Sequence, residues 1–282
     1  MYEQYWGLKE KPFQNTPDPR FLYLSAQHED ALMKLSYVVT QGLGCGMLVG
    51  VFGCGKTLLG NALLNDLGRD RVRSCFINSP SFAEPAELLR AIVRGLNPQA
   101  LPDKKTELMS DPLLEKLNTI LVDNVRDGKE NIVIIDEAHA IEDAKLFEQL
   151  RLILNFQLEN RFLLTLFIFG QPELKGKVEN IKPLDQRIAL RCFLGPLGDD
   201  DIEKYIRHRL KVASLPPEGE KEDASASIFD KESLKAILQH TGGIPRRINT
   251  LCDLALMTGF AKKAEKIEAD LIKTVIKDFN LS

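Results

Sequence analysis

The octapeptide GVFGCGKT at 50–57 has the spacing G-x-x-x-x-G-K-T, which lets a backbone wrap around a chain of phosphates. Gly53 and Gly55 supply the backbone conformations and the close approach that a side chain would forbid. Lys56 would reach the β- and γ-phosphates of a nucleoside triphosphate, and the Thr57 hydroxyl would ligate Mg²⁺. The loop residues Gly50, Gly53, Cys54, Gly55, Lys56, Thr57 and Leu58 therefore form the expected nucleotide cradle. A second group, IVIIDE at 132–137, sets two carboxylates directly after four apolar residues. Asp136 would hold the Mg²⁺ through water, and Glu137 would polarise an attacking water. The two groups together make ATP and Mg²⁺ the expected ligands.

The flanking segments supply what these residues need. GMLVG precedes the loop as a short apolar strand, and KTLLGNALLNDL follows it with helical composition. The segment NIVIIDEA reads as a strand whose carboxylates emerge at its C-terminal end, where open α/β sheets bind ligands. Around these lie a helix at 25–42, a strand VRSCFINS, helices EPAELLRAIVRGL and DPLLEKLNTILVDNVRDG, a helix over 143–159 and two strands, LLTLFIFG and IALRCFLGPL. Continuously apolar strands alternating with helices predict a parallel sheet covered on both faces. After residue 197 only helices follow: DDDIEKYIRHRLKVA, KESLKAILQHT, IPRRINTLCDLALMTGFA and EADLIKTVIKDFN. The polar stretch at 214–227 reads as a mobile connection. The expected organisation is an N-terminal segment 1–25, an α/β unit 26–197 and a small all-α unit 198–282.

Composition narrows the function class. The 282 residues carry a net charge of −3, which gives no overall basic signature for nucleic acid. No apolar run approaches the roughly 18–20 residues that span a bilayer, and the N-terminus lacks the apolar centre of a signal peptide. The five cysteines are scattered without metal-site spacing, which predicts reduced thiols in a cytoplasmic protein.

The stretch GGIPRRIN at 242–249 starts a helix with Pro245 at its first position. Arg246 and Arg247 then occupy the end where the helix dipole disfavours cations. The apolar stripe of this helix is Ile248, Leu251, Cys252 and Ala255. At 100° per residue Arg246 points away from the stripe, and Arg247 lies on its flank. Arg246 is therefore expected to face the γ-phosphate of the nucleotide; the alternative is a surface cation. The letters DEAH at 136–139 suggest a helicase, but such enzymes need a second nucleotide-binding-like domain. His139 is read instead as a residue behind the site or in the core.

The arrangement resembles the AAA+ ATPases, in which a helical lid arginine ("sensor 2") reports nucleotide state. More closely, MYEQYWGLKEKPFQNTPDPRFLYLS, IIDEAH, IFGQPEL, LDQRIALRCFLGPL, YIRHRL and GGIPRRINTLCDLAL resemble secretion ATPases of the general secretion pathway protein A type. That group is similar to the ATPases that regulate DNA transposition. The resemblance implies a P-loop parallel sheet followed by a helical lid, with Lys56 and Thr57 at the Walker A positions and Asp136 and Glu137 at Walker B. It places Gln171 at the "sensor 1" position, where many members carry Asn or Thr. It places Arg187 as the arginine finger that reaches a neighbour's ATP, with Arg191 the inferior candidate. It also puts the segment NTPDPRFLYL near the adenine edge. Many secretion members continue into a membrane segment and a peptidoglycan-binding domain. This sequence stops after the lid, so the expectation is a free-standing motor or switch acting through a partner.

The implied function is an oligomeric, ring- or filament-forming ATPase serving secretion, pilus or envelope assembly. It would be cytoplasmic or peripheral to the inner membrane through a partner. The alternative is a DNA-associated regulator, for which KYIRHRLK and AKKAEK offer cations. A protein that binds ATP without hydrolysing it is a third reading, against which Glu137 argues.

Overall fold

A computed structural model describes residues 1–101, 110–158, 161–214 and 228–280. The stretch read as a mobile connection lies, apart from Ser214, outside the described residues. The chain divides into two compact units.

The larger unit comprises Ala26–Phe52 and Lys56–Leu194. Its sheet contains β1 (Cys45–Gly50), β2 (Val72–Ile77), β3 (Glu130–Ile135), β6 (Thr165–Gly170) and β7 (Leu190–Leu194), in the order β2-β3-β6-β1-β7, with all pairings parallel. Every residue of β1 and β6 is buried, whereas the edge strands β2 and β7 include exposed residues. That difference is the cost of position: a central parallel strand meets helices on both faces, an edge strand does not. Side chains such as Met47, Val133, Ile135, Leu166 and Ile168 pack with α3 (Pro85–Leu96), α4 (Ser110–Arg126) and α5 (Ala144–Ile153). Helices α1 (Ala26–Thr40) and α2 (Lys56–Asp66) pack against the strands as well. The expected P-loop parallel sheet between helices is the fold observed.

One element differs from expectation. The helix predicted over 143–159 stops at Ile153. Beyond it Gln157–Leu158 (β4) pairs antiparallel with Arg161–Phe162 (β5). The helical spacing Leu150, Leu154, Leu158 continues in the sequence past that end, but Leu158 is exposed, so burial does not hold a further turn on the core. Two short helices unforeseen in the sequence, α6 (Glu173–Glu179) and α7 (Lys182–Asp185), connect β6 to β7.

The smaller unit comprises Met1–Ser25, Gly53–Gly55 and Gly195–Ser282. Helices α8 (Asp199–Ala213), α9 (Lys231–Thr241), α10 (Pro245–Ala261) and α11 (Ala269–Asp278) enclose a core that also takes Tyr2, Trp6, Leu8, Phe13 and Phe21 from the N-terminal segment. The segment is held by polar bonds too. The Trp6 indole N–H donates to Leu256 O at 3.0 Å, and the buried Arg209 guanidinium donates to Pro12 O at 2.6 Å and Gln14 O at 2.8 Å. Among the described residues no helix is long and apolar enough to cross a membrane.

All five cysteines are buried, and none forms a disulfide. Burial pushes the Cys45 thiol up to about 12 and those of Cys75 and Cys192 up to about 11. These three are therefore protonated and poorly nucleophilic at neutral pH.

Phe13 is almost fully buried and meets Phe229 edge-on, with ring centroids 6.2 Å apart. Phe13→Ala should therefore destabilise the smaller unit by about 3–5 kcal/mol. Trp6 is the sole tryptophan and lies in the same core, so its fluorescence during denaturant unfolding measures the loss. An unchanged midpoint would show that the N-terminal segment is not part of that core.

Candidate nucleotide site

The site residues of the larger unit lie at the C-terminal ends of its central strands. β1 ends at Gly50, where the phosphate loop begins; β3 ends one residue before Asp136; β6 ends one residue before Gln171. Because β6 lies between β1 and β3, the three strand ends are neighbours although their sequence positions are far apart.

Gly50 is required by packing. A Cβ on it would stand 2.5 Å from the Leu194 carbonyl oxygen, the same oxygen that accepts the Val51 N–H at 3.2 Å. Gly53 and Gly55 are required by conformation, with φ of 84° and 94°, a region that side chains resist. Lys56 is buried, and its ammonium donates to Gly50 O at 2.9 Å and Val51 O at 3.2 Å, folding the lysine back over its own loop. Cys54 is fully buried, so it contributes to the loop by its backbone.

The Thr57 hydroxyl donates to Asp136 Oδ2. Asp136 is 2 % exposed, and its other oxygen accepts the Glu137 N–H at 2.9 Å. Thr57 and Asp136 thus present two hard oxygens side by side. Among the described residues no cluster of three or more His, Cys, Asp or Glu could cage a metal by itself. Two protein oxygens suit Mg²⁺, which takes most of its shell from water and substrate phosphates.

Glu137 adopts the left-handed conformation, φ 52° and ψ 31°, and caps a single 3-10 turn, Ala138–Ala140. That conformation costs a non-glycine residue about 1–3 kcal/mol. The turn brings His139 back over the glutamate, with Nε2 3.4 Å from Glu137 Oε2. His139 also meets Gln171, whose side-chain amide lies 2.9 Å from Nε2. His139 is partly exposed, so of the two sequence-based placings for it the core one is not met. Its contact with Glu137 and Gln171 was foreshadowed only by its position two residues after the glutamate.

The two arginine-finger candidates differ in their partners. Arg191 on edge strand β7 is neutralised by Asp185 at 2.6 Å. Arg187 is bound at neutral oxygens, Asn155 Oδ1 at 2.8 Å and Leu154 O at 3.3 Å.

In the smaller unit, α10 buries Ile248, Leu251, Cys252 and Ala255 and leaves Arg246 and Arg247 exposed. Its first turn contains no acid and its N-cap, Ile244, has no capping side chain. The Arg246 N–H donates to Gly53 O at 3.2 Å, and a Cβ on Gly53 would meet the Arg246 Cβ at 2.8 Å. Among the cations of KYIRHRLK, Arg209 is buried and Arg207 pairs with Glu203 at 2.6 Å, while Lys204, Arg207 and Lys211 are exposed.

The chain matches the AAA domain family over residues 39–178. It is 35% identical over 269 residues to general secretion pathway protein A of Aeromonas hydrophila, an alignment that takes in 95% of this chain and 46% of that protein. The chain thus spans about half the length of that relative. Among solved structures, Cdc6p of Pyrobaculum aerophilum superimposes with a TM-score of 0.71 at 18% identity, covering 93% of this chain and 70% of the other. The ORC2 protein of Aeropyrum pernix gives 0.68 at 15% identity, covering 96% and 72%. At those identities the two structures establish the fold alone.

The reading of Gly50 is testable apart from any ligand. Gly50→Ala forces a methyl against a backbone oxygen and should destabilise the larger unit by about 1–3 kcal/mol. Gly176→Ala, in α6 with nothing within 4 Å of the added carbon, should be neutral or stabilising, because alanine favours a helix by up to about 1 kcal/mol over glycine. Equal midpoints for the two variants in urea unfolding would contradict the packing argument.

Proposed function

The chain belongs to the AAA+ ATPases, ATP hydrolases built on a P-loop domain, and from that premise we propose that it binds ATP with Mg²⁺ and hydrolyses it to drive conformational change or assembly in a secretion, pilus or envelope-assembly system. The observation that carries this reading is the meeting of Thr57 with Asp136 beside Glu137 at the open ends of β1, β3 and β6.

In this reading the glycine-rich loop and Leu58 hold the phosphates by their backbone. Lys56 swings from its loop carbonyls to the β- and γ-phosphates, where its charge is needed more. Thr57 and, through water, Asp136 would hold Mg²⁺, which would supply neutralisation of charge on the phosphate oxygens. Glu137 takes up the proton side of the attacking water and orients it for in-line displacement. Gln171 senses the γ-phosphate from the end of β6. Arg246 answers the same group from the first turn of α10, and an anion there relieves the electrostatic misfit of two cations at a helix N-terminus. Arg187 acts on the ATP of a neighbouring copy; neutral partners leave its charge available, whereas Arg191 is committed to Asp185. The segment 15–24 lines the adenine side, and the chain works as a cytoplasmic ring or filament, reaching the inner membrane through a protein partner.

The secretion role is supported by the similarity to general secretion pathway protein A over nearly the whole chain. ATP-dependent, salt-sensitive retention of DNA would replace that role with DNA regulation, since phosphate contacts weaken steeply with salt.

Lys56→Ala should abolish tight ATP binding, and Glu137→Gln should keep binding and stop phosphate release. Arg187→Ala should lose most turnover at nearly unchanged affinity, because a finger supplied in trans is worth up to about 10³–10⁵ in rate. Mixing Arg187→Ala with Glu137→Gln should restore partial activity at interfaces that combine an intact glutamate with an intact finger. Full turnover by Glu137→Gln overturns its assignment; inactivity of co-assembled mixtures at every ratio overturns that of Arg187.

A further inference from the structure

The proposed mechanism leaves His139 without a task, yet its ring lies between Glu137 and Gln171. Three contacts define its state. The Gln171 backbone N–H points at Nδ1 at 3.4 Å. A backbone N–H only donates, so Nδ1 is the acceptor and a neutral ring carries its proton on Nε2. Nε2–H then has the Glu137 Oε2 acceptor at 3.4 Å, and at 2.9 Å the Gln171 side-chain amide, whose nitrogen is the atom assigned to that position. The amide must present its oxygen, an orientation that the hydrogen-bond network decides.

The backbone around the ring is held as firmly as the ring itself. Lys177 Nζ donates to His139 O at 2.5 Å and to Ile141 O at 2.8 Å, clamping the 3-10 turn from α6. Gly170, the last residue of β6, lets that turn approach: a Cβ there would lie 3.2 Å from the His139 nitrogen and 2.8 Å from Leu174 Cδ2. The strained Glu137 backbone and the clamped turn leave the glutamate side chain as the part free to be aimed.

We propose that His139 is a positioning residue whose Nε2–H is shared between Glu137 and Gln171, so that movement of Gln171 is passed to the carboxylate that orients water. This rests on the ATPase reading above. When Gln171 turns to a γ-phosphate, it gives up Nε2–H, and the ring then donates to Glu137 alone. The carboxylate is fixed in the state that has a nucleotide to cleave and is loosely held otherwise.

Conservative variants separate this from a filler role. His139→Asn keeps an acceptor near the Nδ1 position and loses the donor; His139→Gln places an amide N–H near the Nε2 position. His139→Ala and His139→Asn should lower kcat about 10–100-fold, the scale on which small misplacements act, with ATP affinity nearly unchanged. His139→Gln should recover most of that loss. Adding Gln171→Ala to His139→Ala should cost little more, because the two act as one unit. Wild-type turnover in His139→Asn, or losses that multiply in the double variant, would overturn the proposal. If the wild type hydrolyses no ATP, the ATPase reading fails, and the ring is read directly by ¹⁵N NMR, with the four histidines assigned by substitution. An Nε2–H tautomer that responds to Gln171→Ala supports the shared bond; an Nδ1–H tautomer, or a ring indifferent to that change, overturns it.

Discussion

The site depends on the insertion of β6 between β1 and β3. The strand TLFIFG is buried along its whole length and pairs parallel with both neighbours, Val49 facing Gly170 on one side and Ile135 facing Ile168 on the other. Parallel pairing points all three C-terminal ends the same way. The loop after β1, the carboxylates after β3 and Gln171 after β6 are thereby held at one edge of a ladder that the Val51 and Asp136 N–H groups extend to Leu194 O and Ile77 O. Polar groups at that edge can then be selected for chemistry, because apolar burial further down the strands supplies the stability.

Backbone geometry at this edge is tight for reasons that differ from residue to residue. Gly50 yields to the carbonyl of Leu194, Gly53 and Gly55 to positive φ, and Gly170 to the turn bearing His139. Glu137 accepts a left-handed conformation without being glycine. Its strain is sustained by the bond from its N–H to Asp136 and by the turn that Lys177 clamps. The result is a rigid frame in which the movable parts are side-chain tips: the Lys56 ammonium, the Glu137 carboxylate, the Gln171 amide.

The smaller unit solves a different problem. The N-terminal segment completes the core of its helices with Trp6, Phe13 and Phe21. Arg209 is buried in this core, and its charge is spread over the carbonyls of Pro12 and Gln14 and the faces of Phe21 and Tyr205. A buried charge is tolerated when its donors are satisfied. The same bonds tie the N-terminal segment to α8, so an arginine that the sequence offers as a cation for phosphates acts as a cross-link.

The P-loop sheet, the buried character of β1 and β6, the Lys56–Thr57 and Asp136–Glu137 pairs and the outward face of Arg246 were all legible in the sequence. Each is a matter of period or of spacing along a few adjacent residues, and local sterics enforce it wherever the chain folds. The contacts that join distant segments were not legible. Nothing near Gly50 announces Leu194, nothing near Arg209 announces Pro12, and the helical pattern at 143–159 gives no notice that β4 and β5 interrupt it. His139 is the sharpest case: its letters suggested a helicase or a supporting residue. Its actual partners follow from β6 lying beside β3 and from Gly170 leaving room for a turn. Local pattern records which face of an element is apolar; it carries no information on which other element covers that face, and such pairings arise only when the whole sheet assembles.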